Sequence, residues 1–331
     1  MRTRGFLLGK FLPPHAGHVF LCRTAAALCD ELTVLVCTLE RDPIDGRLRH
    51  EWMKALLPQA NIVHFTEDAP QEPSEHPDFW NIWRKICRDA HPRPIDLVFG
   101  SEPYVARLAR ELGAAPMMID PERLAFPVSG TAVRADPARV WDMIPGPVRP
   151  HYQKRVVLAG AESTGKSTLA SRLAARLGTR FVPEFGRVFD ASRDADWTGG
   201  SFATIEAGHA ATRAAIAPMA GPLLIEDTDE LVTRAWERLL TGAAPARPRP
   251  AALADLHLLL DTDLVWRDDG TRYQGDPAFR ERFQSLMRRE LEESGARWRL
   301  IGGQGDERLA NALAAINDAF GAAVSQTSRA T

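Results

Sequence analysis

The chain has 331 residues, enough for two domains at roughly 100–200 residues each, and its 45% hydrophobic and 25% charged content excludes an intrinsically disordered chain. Forty-one Lys and Arg against 43 Asp and Glu leave a net charge of −2, which argues against the basic footprint of a nucleic-acid-binding protein. The four cysteines (Cys22, Cys29, Cys37, Cys87) contain no C-x-x-C pair, and no apolar run is long enough to span a bilayer, so the expectation is a soluble, cytoplasmic protein with reduced thiols.

In chain order, "GFLLG" (5–9) and "LTVLVC" (32–37) read as buried strands with the amphipathic segment "HVFLCRTAAALCD" between them. "IDLVFGS" (95–101) and "APMMID" (115–120) read as two further strands flanking the helix "YVARLARELG". Such alternation predicts a parallel sheet with helices on both faces. The segment "PGPVRP" (145–150) interrupts the pattern with three prolines and a glycine, and "RVVLAG" (155–160) starts a new strand. The predicted division is therefore a first domain over 1–150, a second over 151–322, and a flexible tail at 323–331. Within the second, "TGAAPARPRPAA" (241–252) reads as a solvated insertion.

The second half opens on "GAESTGKST", which fits G-x-x-x-x-G-K-[ST] at Gly160, Gly165, Lys166 and Ser167, between a strand and the helix "STLASRLAARLG". Such a loop turns its backbone N–H groups inward at a helix N-terminus, where phosphate is stabilised. Gly160, Ser163, Thr164, Gly165, Lys166, Ser167 and Thr168 are accordingly assigned to ATP, with Lys166 on the outer phosphates and the Ser167 hydroxyl on Mg²⁺. "PLLIEDTD" (222–229) is an apolar strand ending in acids, so Asp227 is expected at the magnesium and Asp229 as base for an attacking hydroxyl. The competing role for these acids is to cap the helix "ELVTRAWERLL". "WRDDGTRYQG" (266–275) suits a lid that closes over the phosphates, with Arg272 as its functional arginine and Arg280 and Arg282 as charge on a solvated helix face. There is no N/T-K-x-D segment for guanine, and about 170 residues leave little room for a ring-forming ATPase, so a small-molecule kinase fits best.

In the first half, "GKFLPPHAGH" places His15 and His18 three apart at a strand-to-helix turn. Metal ligation, helix capping and anion binding are all open to such a pair. Anion binding also draws on Lys10, with Gly9 allowing close approach of a nucleotide and Gly17 letting the helix start beneath the phosphates. "VSGTAVR" (128–134) adds Ser129, Gly130 and Thr131 as hydroxyl and N–H donors, with Arg134 one turn on.

"HAGH" followed by "SGTAVR" resembles the H-x-G-H and I-S-G-T-x-I-R pair of the nucleotidyltransferase α/β-phosphodiesterase superfamily. The series "GKFLPPHAGH", "FWNIW", "GSEPY", "SGTAVR", "GAESTGKST", "PEFGR", "EDTD" and "WRDDGTR" resembles, in that order and over nearly all of 5–320, the NadR-type bifunctional nicotinamide-mononucleotide adenylyltransferases and ribosylnicotinamide kinases. The resemblance implies a Rossmann-like nucleotidyltransferase domain followed by a P-loop kinase domain, both with mainly parallel sheets. It implies that Lys10, His15, His18 and Arg134 contact ATP in the first site, assisted by Ser129, Gly130 and Thr131. It also implies that one of Trp80 and Trp83 stacks on the nicotinamide ring, that Glu184 and Arg187 lie near the riboside, and that Trp266 is a second nicotinamide contact. Phe185 stands where the family's E-Y-G-R segment has tyrosine, which removes one hydroxyl. The first strand begins at about residue 5, so no helix-turn-helix domain is expected and DNA is not an expected partner.

The expected function is thus two-step NAD salvage, using ATP and Mg²⁺: phosphorylation of nicotinamide riboside, then adenylyl transfer to the mononucleotide. Two rivals are a kinase whose transferase domain is weak or lost, and a nucleotide sensor that controls a partner. The expected partners are small molecules, with self-association left open.

Overall fold

The structure is a computed structural model that describes residues 2–192, 196–266 and 277–321. Contacts divide the chain into two units, Met1–Val148 and Arg149–Thr331.

The first unit runs β1 (Arg4–Gly9), α1 (Ala16–Ala27), β2 (Glu31–Cys37), α2 (Gly46–Leu56), β3 (Asn61–Phe65), α3 (Phe79–Ala90), β4 (Leu97–Gly100), α4 (Tyr104–Leu112), β5 (Ala115–Met118) and α5 (Gly130–Ala135). Its sheet has the order β3-β2-β1-β4-β5, and every pairing is parallel. β1 and β2 are the apolar centre, with Phe6, Leu7, Val34 and Val36 fully buried. The helices present the apolar stripes that their spacing predicts: Phe79, Trp83 and Cys87 on α3 stand four apart and pack with Val105, Leu108 and Leu112 of α4. α4 stops at Gly113, whose φ of 73° closes the last turn in the left-handed region. Strand order reverses between β1 and β4, so their carboxyl ends open the crevice where α/β sheets bind ligands. Asn61–Phe65 was not among the expected strands; it is five residues long, at the sheet edge, and its Asn61 and His64 break the apolar run.

The second unit runs α6 (Arg149–Tyr152), β6 (Lys154–Ala159), α7 (Lys166–Leu177), β7 (Phe181–Val182), α8 (Phe185–Ala191), α9 (Gly199–Ile216), β8 (Leu223–Asp227), α10 (Glu230–Thr241), β9 (Leu256–Leu260), α11 (Pro277–Ser294), β10 (Trp298–Ile301) and α12 (Asp306–Phe320). Its sheet, also parallel throughout the described residues, has the order β10-β9-β6-β8-β7. Three central strands carry the core: Val156, Leu158, Leu223, Ile225, Leu258 and Leu260 face α7 and α12. The opposite face, with Val157, Ala159 and Leu259, meets Leu231, Ala235, Phe283 and Met287 of α10 and α11.

The 241–252 segment is largely exposed, as expected of a solvated insertion, but its two arginines are clamped by carboxylates. Arg247 pairs with Glu206 at 2.8 Å and Glu237 at 2.7 Å, and Arg249 with Glu293 and with buried Glu290. The segment straps α9, α10 and α11 together. No described helix is long and apolar enough to cross a membrane.

Candidate functional site

In the second unit the loop after β6 wraps as its glycines allow. Gly160 has φ 140°, and a Cβ there would stand 3.0 Å from the Leu260 carbonyl; Gly165, at φ 84°, caps α7. The Lys166 ammonium donates to the carbonyls of Gly160 at 2.9 Å and Ala161 at 3.1 Å, so it lies folded over the loop. Thr164 is fully buried and its hydroxyl donates to the Ala161 carbonyl at 2.8 Å. Its side chain therefore shapes the loop and is not offered to a ligand. Arg308 of α12, absent from the expected residues, braces the loop from behind by donating to the Thr164 carbonyl and pairing with Asp263.

The loop floors a cavity of about 570 Å³. Ser163, Gly165, Lys166, Ser167 and Thr168 line one end, and Trp197, Phe202, Ile205, Val232, Trp236 and Leu240 the other. Glu162, Glu184, Arg187 and Asp190 also line it. Trp197 stacks on Phe202 with ring centres 4.9 Å apart, and Trp236 packs on Phe283 at 4.3 Å. One cavity thus joins a phosphate-binding loop to a pocket with aromatic walls, which suits a nucleoside whose hydroxyl meets a nucleotide's outer phosphate. The sequence singled out neither Trp197 nor Trp236, since an isolated tryptophan carries no motif.

Glu184 and Arg187 face one another at 3.7 Å in the cavity wall. Burial pushes the Glu184 carboxyl up; Lys166 and Arg187 oppose that shift, while Asp227 and Glu162 add to it. Asp227, at the carboxyl end of β8, is 2% exposed, and its Oδ1 has no hydrogen-bond partner among the described residues. Phe185 faces away: its ring packs where a Cβ on Gly208 of α9 would be only 2.2 Å distant. The lost tyrosine hydroxyl is thus at a packing position.

The expected role of Asp229 as base is contradicted. Its Oδ1 accepts from Leu231 and Val232 N–H groups, each at 3.0 Å, as the N-cap of α10, and its Oδ2 meets His257 Nε2 at 2.7 Å. Burial works against its charge, but the His257 ring and the Val232 N–H outweigh it and hold the pKa at about 2. So committed a carboxylate, absent from the cavity lining, is a poor proton acceptor. Arg280 is also corrected: it is 8% exposed, off the solvated face, and donates to the Leu264 carbonyl at 3.1 Å, whereas Arg282 is exposed as expected. Arg272 and most of the expected lid lie outside the described residues. Trp266 is half-buried and is not among the residues lining the cavity.

In the first unit, His15 caps α1, and the rings of His15 and His18 stack with centres 3.7 Å apart. The backbone N–H of His15 donates to His18 Nδ1 at 3.3 Å. Burial, with Arg123 adding, brings His15 down to about 4; His18 is lowered well below its ordinary value by burial, then by His15 and Arg123. Both rings are therefore neutral near pH 7, and the bond at Nδ1 assigns the His18 proton to Nε2, leaving that atom a donor. Gly17 makes room for the imidazole, since a Cβ there would stand 3.2 Å from the His15 ring. Gly9 makes room for the Phe11 ring, which would stand 3.2 Å from a Cβ there. Phe11 in turn backs His18 edge-on at 5.0 Å.

The two motifs meet through residues 122 apart in the chain. Arg134 donates to the Leu12 carbonyl, and Gly130 lies so close that a Cβ would stand 2.4 Å from the same oxygen. Ser129 caps α5, its hydroxyl accepting from Ala132 N–H at 3.1 Å, while Thr131 is exposed and its hydroxyl accepts from Arg134 at 3.4 Å. Lys10 is exposed, but its carbonyl is gripped at 2.7 Å by Arg49, a fully buried residue that pairs with Asp42. A crevice lined by His15, His18, Ser101, Asp120 and Arg123 opens beside the histidines.

Trp83 is 7% exposed and its indole N–H donates to the Pro70 carbonyl at 2.8 Å, so it belongs to the core. Trp80 is half-buried beneath Arg107, whose guanidinium carbon stands 5.3 Å from the ring centre. Neither lines the crevice at the histidines. No cluster of three His, Cys, Asp or Glu suited to a metal occurs among the described residues.

Comparison with known proteins gives the same outline. An AAA domain model matches residues 155–308. The chain is 29% identical over 325 residues to the trifunctional NAD biosynthesis/regulator protein NadR of Escherichia coli, covering 88% of this chain and 77% of that one. It is 28% identical over 321 residues to its namesake in Salmonella typhimurium, covering 88% and 76%. Among solved structures, a NadR protein in complex with NR superposes with a TM-score of 0.75 at 21% identity, covering 97% of this chain and 96% of the other. A NadR protein in complex with NAD and AMP-PNP gives 0.72 at 21% identity, covering 97% of both chains. Across both units the chain has the NadR fold, and over most of its length its sequence resembles the NadR proteins.

Proposed function

We propose that the chain is a bifunctional enzyme of NAD salvage. The second unit transfers the γ-phosphoryl group of ATP to nicotinamide riboside, and the first transfers the adenylyl group of a second ATP to the resulting mononucleotide, releasing pyrophosphate. The observation that carries this reading is the single cavity that runs from Lys166 to Trp197 and Trp236. The naming of the two curated relatives for NAD biosynthesis supports it.

In the kinase step the loop N–H groups and Lys166 hold the phosphates, and the aromatic end receives the pyridinium ring of the riboside. Glu184 takes the proton of the riboside 5′-hydroxyl as that oxygen bonds to phosphorus and the bond to the β-phosphate oxygen breaks. Its upward-shifted pKa, its place in the same cavity as Lys166 and its approach to Arg187 at 3.7 Å suit a general base. Ser167, which lines the cavity, and Asp227, with its orphaned buried oxygen, fit a magnesium ion. Bound there, the ion supplies charge neutralisation to the phosphates.

In the adenylyl transfer a phosphate oxygen of the mononucleotide bonds to the α-phosphorus as the bond to pyrophosphate breaks. The residues align the reactants and stabilise charge: His18 Nε2–H and His15 as neutral partners, Arg134 and Lys10 as cations, Ser129, Gly130 and Thr131 at the start of α5. No residue forms a covalent intermediate. An assay with nicotinamide riboside, ATP and Mg²⁺, read for mononucleotide and for NAD, tests both steps. Absence of both mononucleotide and NAD rejects the kinase assignment, and mononucleotide that is never converted to NAD rejects the transferase.

A further inference from the structure

The 241–252 strap holds more than the helix layer together. Arg247 does not line the cavity, yet its guanidinium bridges the two elements that carry the aromatic walls. It grips Glu206 of α9 with both carboxylate oxygens, Nε at 3.0 Å and Nη2 at 2.8 Å, and donates from Nη1 to the Gly199 carbonyl at 3.1 Å. The same Nη2 reaches Glu237 of α10 at 2.7 Å. Gly199 begins α9, two residues after Trp197, and Glu237 follows Trp236 directly. The walls also approach one another there: a Cβ on Gly199 would stand 3.4 Å from Glu237 Oε1.

The ion pairs are half-buried, with Arg247 22%, Glu206 20% and Glu237 6% exposed. A planar guanidinium that takes two carboxylates and a carbonyl has a fixed geometry that a lysine cannot reproduce. We propose that Arg247 is a positioning residue for the nucleoside end of the cavity, setting the separation of the Trp197 and Trp236 walls and thereby the affinity for the flat ring of the riboside. The inference rests on the kinase reading above. Its consequence is selective, because Lys166 and the phosphate loop are attached to other elements.

The test is steady-state kinetics of riboside phosphorylation by the full chain, with thermal unfolding run alongside. Arg247→Ala is expected to raise KM for the riboside about tenfold, with kcat and KM for ATP within about threefold. Arg247→Lys is expected to fall between it and the parent. Arg249→Ala, which loosens the strap only at α11 through Glu290 and Glu293, is expected to leave the riboside KM within about twofold. If Arg247→Ala does not fold, Glu206→Gln weakens the same clamp from α9 at unchanged volume and is expected to raise that KM about threefold. An unchanged riboside KM in the folded variant overturns the proposal, as does an equal change in both KM values. Equal KM changes in Arg247→Ala and Arg249→Ala also overturn it, since the strap would then act only as a stabiliser. A parent chain that phosphorylates no riboside rejects the kinase reading itself and the inference with it.

Discussion

The two regions proposed to hold phosphate are built by opposite constructions. The cradle of the second unit is one unbroken stretch, Gly160–Thr168, in which glycines set the backbone and Lys166 brings a permanent charge. That of the first unit is assembled from two turns far apart in the chain, joined where Arg134 and Gly130 meet the Leu12 carbonyl. Its histidines are neutral, and their order comes from stacking and from the bond between the His15 N–H and His18 Nδ1. A contiguous loop needs only its own sequence to close. A cradle in two halves needs the sheet to bring them together, so its geometry depends on distant packing.

If each unit carries its own chemistry, single substitutions separate the two activities. The largest effect is expected from Lys166→Ala, which should lower kcat for riboside phosphorylation about 10³-fold by removing charge stabilisation at the transferred group. Adenylyl transfer to supplied mononucleotide should stay within about twofold of the parent. His18→Ala should reverse the pattern, with adenylyl transfer down about 10²-fold, as for loss of one aligned donor, and phosphorylation unchanged. Both are read with the substrates supplied separately. A variant that loses both activities would mean that the sites are coupled.

What could be read directly from the sequence follows the same contrast. The phosphate loop, the flanking strand and the helix beyond it were legible because their determinants are local. The pairing of "HAGH" with "SGTAVR" was legible only through resemblance, since nothing in the spacing shows that Arg134 reaches Leu12. Side chains whose role is decided by a remote partner were misread or missed. Asp227 and Asp229 look alike in "EDTD", but the chain turns after β8, and Asp229 meets His257 from β9 while Asp227 does not. Glu226, pointing to the other face, is fully buried between Arg155, Arg213 and His209. Arg247 sits in a stretch whose proline and alanine content reads as loop, and only the carboxylates of α9 and α10 show why its arginines are there. No strand was expected at β3, β7, β9 or β10: β3, β7 and β10 are short sheet edges, whereas β9 is a fully buried inner strand whose apolar run carries no motif.

The corrected pair sharpens the kinase site with a smaller effect. Asp229→Asn keeps an oxygen to cap α10 but removes the charge facing buried His257, at a cost of about 1–2 kcal/mol in stability. Its kcat for phosphorylation, measured on the folded fraction, should stay within about twofold, because the side chain is outside the cavity. A fall of 10²-fold or more at unchanged melting temperature would restore Asp229 as the base and remove Glu184 from that role.

The smallest effect concerns the charge difference between the two cradles. His15 has a folded-state pKa of about 4, whereas in the unfolded chain it titrates near 6.5. Between these values the unfolded chain binds the proton first, so the folded first unit loses stability as pH falls below about 6.5 and keeps losing it until about 4. From pH 6.5 to 5.5 this one ring accounts for about 1 kcal/mol. His15→Gln, which cannot take up that proton, should be flatter over the same step by that amount. The unfolding transition that tracks adenylyltransferase activity is the one to follow. Parallel slopes for parent and variant would place the imidazole at its ordinary pKa, partly charged near neutrality. The first cradle would then hold phosphate by titratable charge, and the contrast with Lys166 would be one of degree, whereas a flattened slope leaves the imidazoles as neutral donors and Arg134 as the fixed cation that ties this cradle's two halves.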